Sequence, residues 1–568
     1  MFKKLFSVIF LCVCFAMSVW GQERPNFVQF INSQHRWVDS VFQSLTPKER
    51  IAQLFLVRAH TNLGQRYIDS VAQVIKQEQL GGLVVFQGGP VRHAQMLNQY
   101  QKLVKVPLLV TLDGEWGLGM RLPDSTVSFP YQMTLGAIQN EMLIYEMGRQ
   151  VARDFQRMGM HFNFAPVVDI NNNPKNPVIN FRSFGDNKYN VARKAKAYME
   201  GMIDGRIIAS LKHFPGHGDT DVDSHHDLPQ LKFSKERLDS LEIFPFRELI
   251  QEGAPAIMVA HMNIPALDAT PNIPSSISRK VVTDLLRREL HFEGLVVTDA
   301  MDMKGVKKFF PNGEADVMAI EAGHDLLEIS ENSGRAIGLV EKAVKNGRIK
   351  QAELDQRVKR VLAAKYWLGL NQYRPVNTVN LVRDLNTPAS KSLVQRLADA
   401  AVTVLKSDRR IRSFDKKMET AVVSIGVNQP QDFEKGLAVQ LNNRKEFVIT
   451  GKETAEEMKE LLKEVRRSQQ IVLAIHDNRT RPGSEIKVNE QVREFIDRLA
   501  GRRTITVMFT NPYVMDNLPI ERSNSIIMAY QNDPFMQKAA LKVLLGQVKA
   551  EGKLSVTVNK RFAYGDGI

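Results

Sequence analysis

Gly294-Leu295-Val296-Val297-Thr298-Asp299-Ala300-Met301 is an unbroken apolar, β-branched run that ends at once on a carboxylate. A strand that is apolar at every position, rather than at alternate ones, is covered on both faces, as strands of parallel sheets are. Five further runs share the pattern: Gly82–Phe86, Pro107–Thr111, Phe162–Pro166, Ile207–Leu211 and Ala256–Ala260. Longer amphipathic segments separate them. Six or more such units over about 320 residues, from 45 to 370, predict a (β/α)8 barrel.

Beyond the barrel, Asn371 to Ser390 is polar and carries Pro375 and Pro388, so a linker is expected over 371–395. A second alternation then runs through Ala401–Leu405, Ala421–Ile425, Phe447–Ile449, Ile471–Ile475, Thr504–Phe509 and Ser525–Ala529. Residues 396–568 are too few for another barrel but enough for a smaller α/β sandwich domain.

The first 21 residues follow the secretory pattern: Lys3 and Lys4, an apolar core from Leu5 to Met17, then Ser18-Val19-Trp20-Gly21. Residues 22–44 form an N-terminal segment ahead of the barrel. No later apolar stretch is long enough to span a bilayer, so no stable membrane span is expected after cleavage. Both cysteines, Cys12 and Cys14, leave with the signal, and disulfides, thiolate nucleophiles and cysteine-zinc sites leave with them. Export of a cysteine-free chain fits the periplasm or envelope of a bacterium. The net charge of +14 becomes +12 without Lys3 and Lys4, because those two residues carry two of the positive charges. Its Lys and Arg are scattered with no basic and aromatic stripe, so no nucleic acid is expected, and an envelope polyanion or acidic glycan suits the charge better.

In a parallel barrel, chemistry collects at the carboxyl ends of the strands. Asp113, Gly114 and Glu115 follow Leu112 and lead to Arg121; Asp169, Asn171 and Asn172 follow Pro166. Lys212 and His213 follow Leu211, His261 follows Ala260, and Asp299 follows Thr298. One Asp after a strand is ordinarily a helix N-cap. Five charged or imidazole strand ends on one face argue for a pocket. Asp302 is the better cap for a helix near 303–307, which leaves Asp299 free to act as a nucleophile.

The densest chemistry lies in Lys212-His213-Phe214-Pro215-Gly216-His217-Gly218-Asp219-Thr220, continuing Asp221-Val222-Asp223-Ser224-His225-His226-Asp227. Asp219, Asp221 and Asp223 begin like a calcium loop, but Ser224 and Gln230 stand where glycine and an acidic residue are required, so that reading fails. Zinc lacks both a thiolate and a helical His spacing here. A loop with Gly216 and Gly218 as joints, carrying a proton-transfer group, is the third reading. Asp223 two residues before His225 would fix the ring's tautomer and raise its basicity. On the residues alone, a solvated loop rich in Asp and His is an equal reading.

These stretches resemble glycoside hydrolase family 3, in its bacterial beta-N-acetylglucosaminidase branch. The resemblance rests on Lys212–Thr220 with Asp223-Ser224-His225, and on Leu112–Glu115, Ala165–Asp169, Phe181–Gly185, Val259–Met262, Val297–Met301 and Ala322–Asp325. Asn511-Pro512-Tyr513 extends it, less specifically, to a C-terminal sandwich. The resemblance implies a retaining exo-glycosidase acting on terminal beta-linked N-acetylglucosamine, with a carbohydrate or muropeptide partner and no cofactor or metal. It implies Asp299 as nucleophile, His225 as acid and base, and Asp223 as the residue that orients it. Asp113, Arg121, Arg182, Lys212 and His213 would hold the sugar, with His217, Asp169 and His261 lining the same face. The segment Trp116–Arg121 departs from the family, which commonly places an arginine earlier, so Arg121 is carried over across a changed spacing. A family 3 beta-glucosidase, a phosphorylase, in which a neutral His admits phosphate, and a non-catalytic glycan-binding envelope protein are the alternatives.

Overall fold

The computed structural model describes residues 26–123, 125–223, 227–406, 414–479, 481–483, 486 and 488–568. His225 and the expected signal segment 1–21 therefore lie outside the described residues.

Eight parallel strands form the first sheet: β1 (Phe55–Ala59), β2 (Gly82–Val85), β3 (Leu109–Leu112), β4 (Phe162–Asn163), β5 (Ile208–Phe214), β6 (Ala256–Val259), β7 (Leu295–Thr298) and β8 (Leu327–Glu328). Each pairs with its neighbours in chain order, β1 also pairs with β8, and a bridge from Val297 to Leu326 joins β7 to the start of β8. The sheet thus closes as the barrel that the apolar runs predict. Leu83, Val84, Val85, Leu109, Val110, Ile257, Val296 and Val297 are fully buried. Such β-branched and leucine side chains tolerate cover on both faces, so the strands pack under the helix ring without an exposed edge. The β5–β6 register shifts between Leu211 and Phe214, beside Lys212 and His213. Such an irregularity re-aims side chains at the barrel rim.

Two short helices, Phe27–Ile31 and Arg36–Ser44, precede the barrel and rest on its last helix, Gln351–Trp367. Phe27 meets Trp367 edge-on at 5.1 Å and Trp37 stacks on Tyr366 at 5.4 Å. A capping box of Thr46 and Glu49 starts the next helix, Pro47–Ala52, which delivers the chain to β1. After the barrel, the connector lies along its side: Asn98 holds Val376 through N–H···O bonds in both directions, and Arg157 pairs with Asp384 at 3.1 Å.

The second sheet has strands β9 (Thr403–Lys406), β10 (Thr420–Ile425), β11 (Arg444–Ile449), β12 (Gln470–His476), β13 (Thr504–Phe509) and β14 (Ser525–Met528). Their order is β11-β10-β12-β13-β14-β9, with β9 antiparallel at the edge and the others parallel. All six runs expected in this region are strands. No helix among the described residues is long and apolar enough to cross a membrane.

Candidate active site

The carboxyl ends of β3, β5, β7 and β8 bring the charged residues together. Lys212 Nζ donates to Asp113 Oδ1 at 2.8 Å and lies 2.9 Å from Glu115 Oε1. Arg121 Nη2 reaches Asp113 Oδ2 at 2.5 Å, and Arg182 grips Glu115 through two bonds, at 3.0 and 2.7 Å. Two carboxylates and three cations interlock. Lys212 is 2% exposed and Glu115 fully buried, a burial that such charges reach only when paired.

The pairing decides every charge state. Burial would raise the Asp113 and Glu115 carboxyls, but the adjacent cations outweigh it. Asp113 sits well below the usual carboxylate range beside Lys212 and Arg121, and Glu115 falls to about 2 beside Arg182 and Lys212. Burial would lower Lys212, but Asp113 and Glu115 hold it above its ordinary value. The result is a rigid, fully ionised lattice whose remaining donors and lone pairs suit the hydroxyls of a sugar. Arg121 Nε is buried without a hydrogen-bond partner among the described residues, so this arginine keeps a donor in reserve.

Asp169 works one layer back. Its Oδ1 accepts from the backbone N–H of His213 at 3.1 Å and of His217 at 2.7 Å, and its Oδ2 lies 2.7 Å from His213 Nδ1. Its side chain is fully buried, so it reaches the pocket through His213. A carboxylate at Nδ1 keeps the proton there and leaves Nε2 to the site, where it lies 3.4 Å from Arg182 Nη2. His217 bonds to Thr220 Oγ1 at 2.6 Å through Nδ1, and burial, then the nearby His213, pushes its pKa down to about 4. It is neutral at physiological pH.

Asp299 is held by its backbone. Its N–H donates to Val259 O at 3.0 Å, the next N–H donates to its own Oδ1 at 2.8 Å, and Met301 N–H donates to Glu328 O at 2.8 Å. His261 is tied to the same turn: Nε2 lies 3.0 Å from Ala300 O and Nδ1 2.6 Å from Ser276 Oγ. It braces the peptide after Asp299. Asp302 does not cap the following helix as expected. That helix, Lys304–Lys307, begins after Met303 with no side-chain cap, and Asp302 pairs with Arg58 of β1 at 3.2 Å. The half-exposed guanidinium of Arg58, near the carboxyl end of β1, draws the carboxylate away from the cap position.

The loop after β5 folds back over β4's extension. Gly216 has φ of 136°, which favours glycine. A Cβ at Gly218 would stand 1.7 Å from Ile170 O, so this glycine serves close approach of two backbones. Asn176 Nδ2 donates to His217 O at 2.8 Å. Farther along, Asp219 pairs with Arg237 at 3.1 Å and Asp227 with Lys308 at 3.0 Å, which explains two of the loop's acidic residues as anchors. Asp223 is described and His225 is not. Among the described residues, no group of three or more His, Cys, Asp or Glu is placed to hold a metal ion.

A reading by strand ends finds one further residue without its role and misses another. Glu115 follows β3 among the residues that reading singles out, yet its place as counter-ion to both Arg182 and Lys212 appears only in three dimensions. Glu328 ends a strand of two residues, too short to stand out as an apolar run. A glutamate directly behind Leu326-Leu327 is the one signal that could have found it.

The second domain packs against loops that follow the barrel strands. Asn171 donates to Tyr513 OH at 2.9 Å, Asn511 Nδ2 donates to Asn180 Oδ1, and Gln531 Oε1 accepts from Tyr131 N–H at 2.8 Å. A cleft of about 140 Å³ between them is lined by Tyr131 and Phe181 from the barrel and by Asp477, Asn511 and Asn532 from the sandwich. Phe181 directly precedes Arg182 of the charged lattice in the chain.

Comparison with known proteins agrees with this architecture. Residues 46–364 match the glycosyl hydrolase family 3 N terminal domain. Over 86% of its length the chain is 26% identical to beta-hexosaminidase A of Pseudoalteromonas piscicida, covering 91% of that protein. It is 24% identical to a beta-N-acetylglucosaminidase/beta-glucosidase of Cellulomonas fimi, covering 92% of this chain and 95% of that one. The structure of a family 3 beta-N-acetylglucosaminidase from Paenibacillus sp. str. FPU-7 superposes with a TM-score of 0.74 at 31% identity, over 91% of this chain and 99% of that one. With the barrel and the second domain, these likenesses make the chain a glycoside hydrolase of family 3, on the branch of the bacterial beta-N-acetylglucosaminidases.

Proposed function

We propose that this glycosidase is an exported, exo-acting, retaining beta-N-acetylglucosaminidase that trims peptidoglycan-derived saccharides. The observation that carries the reading is Asp299 at the mouth of a barrel whose neighbouring strand ends present an ionised sugar-binding lattice. Asp299 attacks the anomeric carbon as the bond to the leaving oxygen breaks, and His225 gives that oxygen its proton. The sugar is then ester-linked to Asp299. Water attacks the same carbon, His225 takes its proton, and the carboxylate is released. Asp223, two residues before His225, orients the imidazole and stabilises its charged form. A His in place of the second carboxyl departs from the common pair of carboxylates in retaining enzymes.

Support for N-acetylglucosamine comes from the Cellulomonas fimi and Paenibacillus relatives that carry that activity in their names and from the Lys212–Thr220 loop with Asp223-Ser224-His225. Support for an envelope substrate comes from the secretory N-terminus and the positive charge. An aryl N-acetyl-beta-glucosaminide, compared with the aryl beta-glucoside, tests the specificity. Hydrolysis should be lost in Asp299→Ala, and survival of the wild-type rate there would overturn the role of this carboxylate. His225→Ala should slow substrates with poor leaving groups far more than activated aryl glycosides, because only the former need a proton; equal losses would contradict a proton-donor role. Added phosphate should yield no sugar 1-phosphate.

A further inference from the structure

Glu328 has no part in the chemistry above, yet it is placed as if it had. It is 3% exposed, at the carboxyl end of β8, the strand that closes the barrel between β7 and β1. Its main chain is spoken for: N–H donates to Thr298 Oγ1 at 2.9 Å, and O accepts from Met301 N–H. Its carboxyl takes part in no hydrogen bond or ion pair among the described residues. The charges that act on it come from three other strand ends: Asp113 and Arg121 after β3, Lys212 on β5 and Asp299 after β7. That combination puts the carboxyl inside the barrel mouth. From β1, Arg58 is engaged with Asp302 and does not neutralise it.

A buried carboxyl without a partner costs stability, and a leucine there would cost nothing. Such costs persist where a ligand supplies what the protein withholds. We propose that Glu328 is a sugar-positioning residue, the carboxyl that closes the β8 side of the pocket and hydrogen-bonds a hydroxyl of the bound terminal sugar.

It does so as a neutral acid. Burial, then the negative charges of Asp113 and Asp299, raise its proton affinity well above the ordinary carboxylate value, and the smaller pull of Lys212 and Arg121 does not reverse this. A neutral carboxyl both donates and accepts, as a hydroxyl does, and it adds no repulsion to the Asp299 carboxylate. An ionised one would oppose both the nucleophile and Asp113.

The inference deepens the proposed glycosidase reading and rests on it. Glu328→Gln keeps a neutral donor and acceptor, and Glu328→Leu keeps only volume. At neutral pH, kcat/KM for the N-acetylglucosaminide should stay within about threefold of wild type in Glu328→Gln and fall about 10- to 100-fold in Glu328→Leu, the range for removing a hydrogen bond to substrate. Thermal unfolding should be no easier in either variant. Wild-type activity in Glu328→Leu would overturn the inference, as would a Gln variant as impaired as the Leu one. Calorimetric titration with N-acetylglucosamine and with glucose separates this from the choice of substrate. Whichever sugar the wild type binds should bind more weakly to Glu328→Leu and not to Glu328→Gln, and equal affinity in all three proteins would refute the contact.

Discussion

Replacing Glu115 by Gln tests the charged lattice directly, because it removes one charge and almost no volume. Glu115 is the counter-ion of both Arg182 and Lys212, at 2.7 and 2.9 Å, with no exposed side-chain surface. Its carboxyl ionises near 2 instead of 4.5, since the two cations outweigh the burial that would raise it. The sign follows: stability from the ionised form is present above 4.5 and is lost as pH falls through about 2. A difference of 2.5 units at roughly 1.4 kcal/mol each is about 3 kcal/mol at neutral pH. Breaking a buried pair by removing one partner costs about 3–5 kcal/mol, an independent route to the same size. Urea titration at pH 7 should therefore place Glu115→Gln about 3 kcal/mol below wild type. By pH 3.5 the linkage shrinks the gap to about 2 kcal/mol, because the unfolded carboxyl is by then mostly protonated. Sugar affinity should fall as well, since Arg182 and Lys212 lose the group that aims them. A variant within about 0.5 kcal/mol of wild type at pH 7, the ordinary range of a surface change, would refute the assignment of Glu115 as the central counter-charge.

Gly218→Ala should lower kcat sharply in steady-state assays, since its Cβ would meet Ile170 O at 1.7 Å and push the loop that leads to Asp223 and His225 off β4's extension. An unchanged kcat would mean that the loop is not placed by this contact. His324 is fully buried with neither ring nitrogen bonded among the described residues, and burial, which outweighs the opposing pull of Asp325 and is helped by Arg357 and Arg287, sends its pKa down to about 3. Its neutral form supports folding fully above 6.5 and is lost as pH falls towards 3, which is worth at most about 4 to 5 kcal/mol. His324→Leu should therefore unfold at a lower pH than wild type in an acid titration followed by circular dichroism; an identical acid midpoint would exclude this ring as a cause of acid unfolding.

Six of the eight barrel strands and all six strands of the second domain could be read from apolar runs, because a strand covered on both faces must be apolar throughout. β1 and β8 could not. β1 carries Arg58, which belongs to the barrel mouth, and β8 is two residues long and ends in Glu328. Both exceptions carry a charged residue near the carboxyl end, so the apolar signal for the strand fails there. Strand-end polarity also pointed to Asp113, Lys212, His213 and Asp299, whose side chains or backbones the fold brings to one rim.

The residues themselves, by type and order, determined the barrel, the sandwich, and a pocket at the carboxyl ends, since local periodicity and strand-end composition are properties of neighbours in the chain. Which charge answers which was settled only by the closed barrel. Lys212 lies between Asp113 and Glu115, 99 and 97 positions upstream, and Asp169 stands behind His213, 44 positions away. Electrostatic energy depends on distance through space and on exclusion of water, and neither exists until the sheet closes.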